Sequence, residues 1–333
     1  MKRFGLLLAV LGVGAGLYFG LFHYAPDTDQ SGGSGIVISH KTAGLEHPEN
    51  SEAGLRASLE MNVEAIELDV HVIRDGEVVL HHDPVLSDYN CFAENDPTRL
   101  IVAQQTVGDL KGLNCHNHKV DKPYKILTLA DFLQIYSESD KTKKLLLEIK
   151  VWDELIKHNP LHVGLDSSAM HYPDKDVAAA VYDVLRQFPA VTNIQFNTFS
   201  RSLLLELRQQ KQAEEGFEFG LLYKGYYNPI AMAGPALIKR KKCYDFCWTP
   251  DYAEVRQWLD DNDIRTFIPN YDQASSLPFR RSFAEHIMED KGNLAVIPWT
   301  LNTEEQWATH EKEGFDGILT DKPAAYLAWR AGR

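Results

Sequence analysis

Residues 65–84 constrain the fold most, because they form two apolar runs separated by Asp75-Gly76. An Asp-Gly pair between apolar runs is a strong short-range signal for a β-hairpin. If these two residues form the whole loop, the antiparallel ladder places Asp69 opposite His82. The segment is therefore predicted to be a hairpin with polar side chains at its open end.

Three polar side chains of this hairpin are predicted to lie on one face. Side chains alternate along a strand, so Glu67 and Asp69 share a face, and the residue opposite Asp69, His82, joins them. Two adjacent carboxylates repel each other unless positive charge lies between them, and a bound cation supplies it most simply. The alternative is an exposed hairpin with solvated acids, but the strand is otherwise strongly apolar.

The hairpin belongs to a longer ordered set of motifs. In chain order the set contains Ser39-His40-Lys41-Thr42, Pro48-Glu49-Asn50-Ser51, Glu67-Leu68-Asp69, His82-Asp83-Pro84, Leu147-Glu148-Ile149-Lys150, Trp299-Thr300-Leu301-Asn302 and Thr320-Asp321-Lys322-Pro323. Any one motif is weak evidence, but the ordered set resembles that of the glycerophosphodiester phosphodiesterases. The chain departs from the family pattern at Lys41 and Thr42, where the family has Arg and Gly.

The resemblance implies a divalent metal held by Glu67, Asp69 and Glu148. Ligation by oxygen alone favours Mg²⁺ or Ca²⁺ over Zn²⁺. The alternative for Glu148 is an ion pair with Lys150, which lies two residues further along the same predicted strand and faces the same way.

The resemblance also implies that His40 and His82 act as general acid and base. One imidazole takes a proton from the attacking hydroxyl and the other donates a proton to the leaving alkoxide. Imidazole suits this task because its unperturbed pKa is near ~6.5. The sequence leaves open which histidine plays which role, and whether a glycerol hydroxyl attacks first to form a cyclic phosphate.

Three further side chains are expected to contact the substrate. Lys41 and Lys150 are expected to hold the phosphate. Lysine is a point charge whereas arginine offers a two-pronged donor, so Lys41 predicts altered phosphate positioning relative to relatives with arginine. Trp299 either stacks on the alcohol of the substrate or fills the mouth of the barrel.

Strands and helices alternate through the chain, which predicts a parallel sheet, and 333 residues suffice for one TIM (β/α)8 barrel with an N-terminal extension. Nine strand candidates compete for eight positions, so either residues 244–248 or residues 264–268 lie outside the barrel. A helix over residues 49–60 is expected to be capped by Asn50. The polar stretch over residues 87–124 is predicted to be a flap, inserted after the hairpin and close to the site.

The N-terminal segment, residues 1–24, predicts a link to a membrane. Residues 4–22 are apolar or glycine and follow two basic residues, so they favour an uncleaved helical anchor with the domain outside the cytoplasm. A cleaved signal peptide with secretion is the alternative. Residues 25–35 resemble a linker, and residues 36–330 are predicted to form the catalytic domain.

Charge and cysteine content narrow the classes of partner and compartment. The formal net charge of −13 argues against nucleic acid, so an anionic small molecule must be attracted by local positive charge. The four cysteines are compatible with an oxidising compartment, and Cys91 and Cys115 are candidates for stapling the flap.

The expected reaction is metal-dependent hydrolysis of a glycerophosphodiester to glycerol 3-phosphate and an alcohol. The same chemistry on a lysophospholipid is an alternative, which apolar residues in the flap would favour. A barrel that binds a phosphodiester without turnover is a third alternative, because of the changes at Lys41 and Thr42.

Overall fold

The computed structural model describes residues 35–86, 91–92, 100–151, 172–210, 217–223, 252–270 and 288–333. Ser34–Arg333 form one compact unit. The predicted anchor at residues 4–22, nearly all of the linker, and the strand candidate at residues 244–248 lie outside the described residues. No helix in the described ranges is long and apolar enough to cross a membrane.

Eight parallel strands of the described chain form the central sheet. They are β1 (Ile36–Ser39), β2 (Ala65–Val72), β9 (Lys144–Ile149), β10 (Ile194–Thr198), β11 (Glu218–Tyr223), β12 (Thr266–Pro269), β13 (Ala295–Val296) and β14 (Gly317–Thr320). Their spatial order is β13-β12-β11-β10-β9-β2-β1-β14. The candidate at residues 264–268 is therefore a barrel strand, shifted by one or two residues.

Backbone hydrogen bonds close this sheet into a barrel. The N–H of Asp316 donates to the carbonyl of Val296 at 3.0 Å, and the N–H of Leu319 donates to the carbonyl of Pro298 at 3.3 Å. These bonds join the two outermost strands, β13 and β14, so the predicted TIM barrel is confirmed.

Alternation along the strands separates two apolar layers. On β2, Ile66, Leu68 and Val70 belong to the large cluster that the helices cover. Ala65, which has the opposite parity, belongs to a smaller cluster lining the inside of the barrel. Glu67 and Asp69 share the parity of Ala65, so the strand directs both carboxylates towards the barrel interior.

The described helices mostly surround the barrel. They are α1 (Glu52–Glu60), α2 (Val107–Lys111), α3 (Leu129–Ser137), α4 (Asp174–Leu185), α5 (Arg201–Gln210), α6 (Tyr252–Asp261), α7 (Glu304–Glu313) and α8 (Pro323–Ala331). The cap of α1 is Ser51, whose hydroxyl accepts from Gly54 N at 3.1 Å, so the predicted cap at Asn50 is wrong. Asn50 has a left-handed backbone with φ 54° and is free for another role.

The hairpin is present, but its register differs by one residue from the prediction. The second arm, β3 (Val78–Leu80), pairs with β2 so that Val70 lies opposite Leu80. The loop has three residues and ends at Gly76, whose φ is +81°. Three-residue hairpin loops commonly place glycine in this left-handed position. Asp69 therefore lies opposite His81 and not opposite His82. The backbone N–H of His81 donates to the carbonyl of Asp69 at 3.2 Å.

The region predicted as a flap carries small sheets of its own. Short strands β4 (Val85–Leu86) and β6 (Leu100–Ile101) pair with each other, while β5 (Cys91–Phe92), β7 (Asn114–Asn117) and β8 (Lys122–Tyr124) form a second sheet. A disulfide joins Cys91 to Cys115 across the second sheet. Apolar side chains of the described flap pack with Ile73 and Val79 of the hairpin into a separate buried cluster.

The close approach of α1 to the loop after β1 predicts that Gly54 cannot carry a side chain. A Cβ on Gly54 would lie 2.3 Å from the carbonyl oxygen of Thr42 and 2.5 Å from its hydroxyl. We expect Gly54→Ala to lower the free energy of unfolding by about 1–3 kcal/mol in chemical denaturation, because the backbone must shift. Gly108→Ala in α2 is the matched control, since its Cβ meets Thr106 at an ordinary 3.6 Å. Equal stability of the two variants would contradict this reading of the contact.

Candidate active site

Three buried carboxylates converge at the mouth of the barrel. Glu67 and Asp69 come from β2, and Asp69 lies directly opposite Glu148 of β9 in the parallel register. One oxygen from each residue lies within 4.8 Å of the others. The predicted trio therefore forms, because parallel neighbours bring inward residues of both strands to the same height.

The trio fits a divalent cation by its donor chemistry. All three residues are buried, and Oε1 of Glu67 has no hydrogen-bond partner among the described residues. An unsatisfied buried carboxylate oxygen is costly unless a ligand completes it. Carboxylate oxygens are the ligands that Mg²⁺ and Ca²⁺ prefer, so Glu67, Asp69 and Glu148 can hold such an ion.

Glu67 and Asp69 differ in protonation because their surroundings shift their pKa values in opposite directions. Burial and the adjacent charge of Asp69 raise the pKa of Glu67 to about 8. Burial acts in the same direction on Asp69, but the charges of Lys150, His82 and Lys41 outweigh it and lower its pKa well below the usual value. Asp69 is thus the ionised member of the pair, and Glu67 holds the proton that a bound cation would replace.

Lys150 compensates the acidic cluster from the end of β9. Its ammonium pairs with Glu148 and lies 2.7 Å from Oδ1 of Asp69. Burial disfavours the charge, but the two carboxylates overcome this and raise the pKa of Lys150. The ion pair between Glu148 and Lys150, considered from sequence as an alternative to metal binding, is therefore present within the cluster of three carboxylates.

His40 lies immediately after β1, next to the trio. Its Nδ1 is 2.6 Å from Oδ1 of Asp321, and its Nε2 is 3.8 Å from Oε2 of Glu67. Burial alone would lower the pKa of His40, but the charges of Asp321 and Glu67 raise it above the ordinary value. The ring is thus held between two carboxylates, with one nitrogen towards the acidic cluster.

A left-handed turn follows His40. Lys41, Thr42 and Ala43 have φ values of 50°, 56° and 65°. Left-handed backbone costs roughly 1–2 kcal/mol for each residue with a Cβ, so the surroundings must impose it. The turn directs the N–H of Lys41 to Oε2 of Glu67 at 2.7 Å. The local strain therefore aims a backbone donor at a candidate metal ligand.

Neighbouring carboxylates stabilise the positive charge of the Lys41 side chain. Burial lowers its pKa, but the carboxylates of Glu49 and Asp69 outweigh burial and raise it. Lys41 thus carries its positive charge beside the acidic cluster, where phosphate binding was predicted.

Asn50 is a site residue that the sequence analysis missed. Its Nδ2 donates to Oδ2 of Asp69 at 2.7 Å, and its Oδ1 accepts from the N–H of Asp69 at 2.9 Å. This pair of bonds orients a candidate metal ligand. The position of Asn50 within the Pro48-Glu49-Asn50-Ser51 motif was the available signal.

His82 lies just beyond β3 at the edge of the site. Its Nδ1 is 2.8 Å from Oδ1 of Asp83, and its charge contributes to the lowered pKa values of Asp69 and Glu49. The register shift thus removes His82 from the position opposite Asp69 but keeps its imidazole near the cluster. Glu49 also pairs with Lys119 of the flap at 3.3 Å, which joins the flap to this side of the barrel mouth.

Trp299 packs at the mouth of the barrel. Its indole N–H donates to the carbonyl of Ile268 at 3.0 Å, and its ring meets Phe199 edge-on at 5.7 Å. These contacts explain how the side chain fills the mouth. Stacking on a substrate stays a prediction.

Solved structures share this fold across almost the whole chain. A phosphodiesterase from Oleispira antarctica in complex with the product sn-glycerol-3-phosphate superposes with a TM-score of 0.64 and 18% identity, over 89% of this chain and 96% of its own. A glycerophosphodiester phosphodiesterase from Thermotoga maritima superposes with a TM-score of 0.56 and 20% identity, over 89% and 98% of the two chains.

Sequence comparison also finds glycerophosphodiester phosphodiesterases. Residues 40–175 match the model of the Glycerophosphoryl diester phosphodiesterase family. A glycerophosphodiester phosphodiesterase of Caldanaerobacter subterraneus subsp. tengcongensis is 23% identical over 295 residues, which are 88% of this chain and 96% of the relative. The family match covers the motifs from His40 to Lys150, and the relative extends the similarity over most of the chain.

The raised pKa of Glu67 predicts how stability depends on pH in protein treated with chelator. The unfolded chain loses this proton above about 4.5, whereas the folded chain keeps it until about 8. The free energy of unfolding should therefore fall as pH rises through this interval. We expect Glu67→Gln to lessen this fall by roughly 2 kcal/mol or more, since one pKa unit corresponds to about 1.4 kcal/mol.

Urea denaturation between about pH 5 and about pH 8, which lies within that interval, measures this effect. Glu52→Gln, on the exposed side of α1, is the control and should keep the wild-type dependence. Parallel curves for wild type and Glu67→Gln would show that Glu67 does not hold the proton.

Proposed function

We propose that this protein hydrolyses glycerophosphodiesters to glycerol 3-phosphate and an alcohol. The observation that carries the proposal is the placement of His40 beside the buried trio of Glu67, Asp69 and Glu148, in a barrel of this family. The product complex of the Oleispira antarctica structure supports the same class of substrate.

His40 and His82 serve as the two proton-transfer groups. One imidazole accepts the proton of the attacking hydroxyl, and the other protonates the departing alkoxide. Oδ1 of Asp321 lies at Nδ1 of His40, so Nε2 of His40 faces the acidic cluster. Asp83 makes the corresponding contact with Nδ1 of His82.

Lys41 and Lys150 bind the phosphate, and Trp299 borders the space for the substrate. The charges of the two lysines provide the local positive potential that a chain of net charge −13 needs to attract an anion. Glu67, Asp69 and Glu148 would hold Mg²⁺ or Ca²⁺, which when bound neutralises charge on the phosphate oxygens.

The flap favours a water-soluble substrate over a lysophospholipid. Its described apolar residues, among them Val102, Leu110 and Leu113, are buried in a cluster of their own. They are thus occupied by packing within the flap and its hairpin, and the acyl-chain alternative gains no support from them.

We also propose that the barrel works outside the cytoplasm, tethered by residues 4–22 or secreted after their cleavage. The Cys91–Cys115 disulfide supports this, because such bonds persist in oxidising compartments. Both cysteines should resist thiol labelling in fresh cell extracts until reductant is added, and immediate labelling would argue for a reducing compartment.

Release of glycerol 3-phosphate from glycerophosphocholine tests the proposed reaction. We expect activity that EDTA abolishes and Mg²⁺ or Ca²⁺ restores, and a loss of about 10²–10⁴-fold in kcat for His40→Gln and for His82→Gln. Lysophosphatidylcholine assayed in parallel should be the poorer substrate. Binding of glycerophosphocholine without turnover would identify a non-catalytic barrel instead.

Lys41→Arg tests the consequence of lysine at a position where the family has arginine. A guanidinium can donate two parallel hydrogen bonds to phosphate, so we expect KM for glycerophosphocholine to fall by about threefold or more. Lys41→Gln should raise KM because the charge is lost. Unchanged kinetics in Lys41→Arg would remove the idea that Lys41 positions the phosphate.

A further inference from the structure

Two motifs near the end of the chain meet at His40, and the mechanism above does not say what holds its ring in place. Asn302 closes the Trp299-Thr300-Leu301-Asn302 motif, and Asp321 lies in the motif that begins at Thr320. Oδ1 of Asp321 lies 2.6 Å from Nδ1 of His40, and Oδ2 of Asp321 accepts from Nδ2 of Asn302 at 2.7 Å. The three side chains form one hydrogen-bonded row.

Backbone geometry determines the orientation of the amide in this row. Oδ1 of Asn302 accepts from the N–H of Asp321 at 2.9 Å and from the hydroxyl of Thr320 at 3.2 Å. A backbone N–H can only donate, so the oxygen of Asn302 must face it. The amide NH₂ of Asn302 is therefore turned towards the carboxylate of Asp321.

The carboxylate in turn selects the tautomer of His40. The imidazolium of His40 and the hydrogen bonds from His40 and Asn302 outweigh burial and lower the pKa of Asp321, so it is ionised and can only accept. Nδ1 of His40 must then carry a hydrogen. The remaining nitrogen, Nε2, is the one that lies 3.8 Å from Oε2 of Glu67.

The second imidazole is held less firmly. His82 has a similar contact with Asp83, but their side chains are 30% and 51% exposed, against 8% and 16% for His40 and Asp321. An exposed pair exchanges with water and fixes geometry weakly, whereas a buried pair keeps its arrangement. The row at His40 is thus the more rigid of the two.

We propose that Asp321 and Asn302 are positioning residues that hold the ring of His40 with Nδ1–H towards Asp321 and Nε2 towards the substrate. The kinetic part of this inference depends on the proposed phosphodiesterase activity. The tautomer of His40 is independent of that activity and can be observed directly.

The first variant is Asp321→Asn, which keeps the size of the side chain. Asn302 still donates, so it should attract the carbonyl oxygen of the new amide and leave the new NH₂ facing Nδ1 of His40. Nδ1 must then accept, and the hydrogen moves to Nε2. Two-bond ¹H–¹⁵N NMR of the full-length protein, above the titration of His40, should show this reversal, with His40→Gln assigning the signal among 13 histidines.

The kinetic consequence should appear in kcat more than in KM. A ring that presents the wrong nitrogen still occupies the same space, so substrate binding changes little while proton transfer fails. We expect kcat for glycerophosphocholine to fall by about 10²-fold or more, with KM within about threefold of wild type.

A double variant separates positioning from a merely structural role. Replacing Asn302 by Ala in the Asp321→Asn background removes the donor that orients the new amide. The amide can then turn its oxygen towards Nδ1–H, so the original tautomer should return and kcat should recover by about tenfold over Asp321→Asn alone. A structural defect would become worse with the second substitution.

Glu311→Gln on α7 serves as the carboxylate-to-amide control, because Glu311 lies on the outside and pairs with Arg333 at 2.8 Å. It should retain wild-type kcat and tautomer. The inference is overturned if Asp321→Asn keeps hydrogen on Nδ1, or if the double variant is no more active than the single one. A wild-type protein without turnover would refute the proposed function alone, and the NMR result would still decide the positioning of His40.

Discussion

Electrostatic repulsion among three buried carboxylates is the constraint around which the mouth of the barrel is built. Glu67, Asp69 and Glu148 place oxygens within 4.8 Å of one another, and all three residues are buried. Burying charges so close together is costly unless positive groups compensate them. Lys150 supplies an ammonium, and the backbone N–H of Lys41 supplies a fixed dipole. The side chains of Lys150 and Lys41 both compensate the charge of Asp69, and the same two lysines are proposed to meet an anionic substrate.

The parallel barrel is what makes this concentration of charge geometrically feasible. Every strand ends at the same rim, so inward residues of β2 and β9 meet residues that directly follow β1 and β14, although the chain between them is long. His40 and Asp321 are 281 residues apart in sequence and 2.6 Å apart in space. The strained turn after His40 persists because α1 packs closely against it at Gly54. Rigid strands thus position the acids, and a constrained loop positions the donors.

The fold and the acidic trio could be predicted from sequence, while several contacts could not. An Asp-Gly turn is compatible with a two-residue or a three-residue loop, so the hairpin was recognised but its register was displaced by one residue. Adjacent Asn50 and Ser51 are both good helix caps, and local propensity could not show that Asn50 binds Asp69. The two errors have different causes. The register was ambiguous because of loop length within one hairpin, whereas the role of Asn50 depends on Asp69, 19 residues further along the chain.

The sequence by itself determined the alternation that sends Glu67 and Asp69 into the barrel, and the ordered motifs that carry the resemblance to glycerophosphodiester phosphodiesterases. Side-chain parity is a property of a single strand, so it can be read from neighbouring letters. Only the tertiary structure decided which partner each polar group meets, such as Lys150 at Asp69 and Asp321 at His40. Those pairings depend on strand order, register and barrel closure, which arise from packing of the whole chain and are not encoded in any one segment.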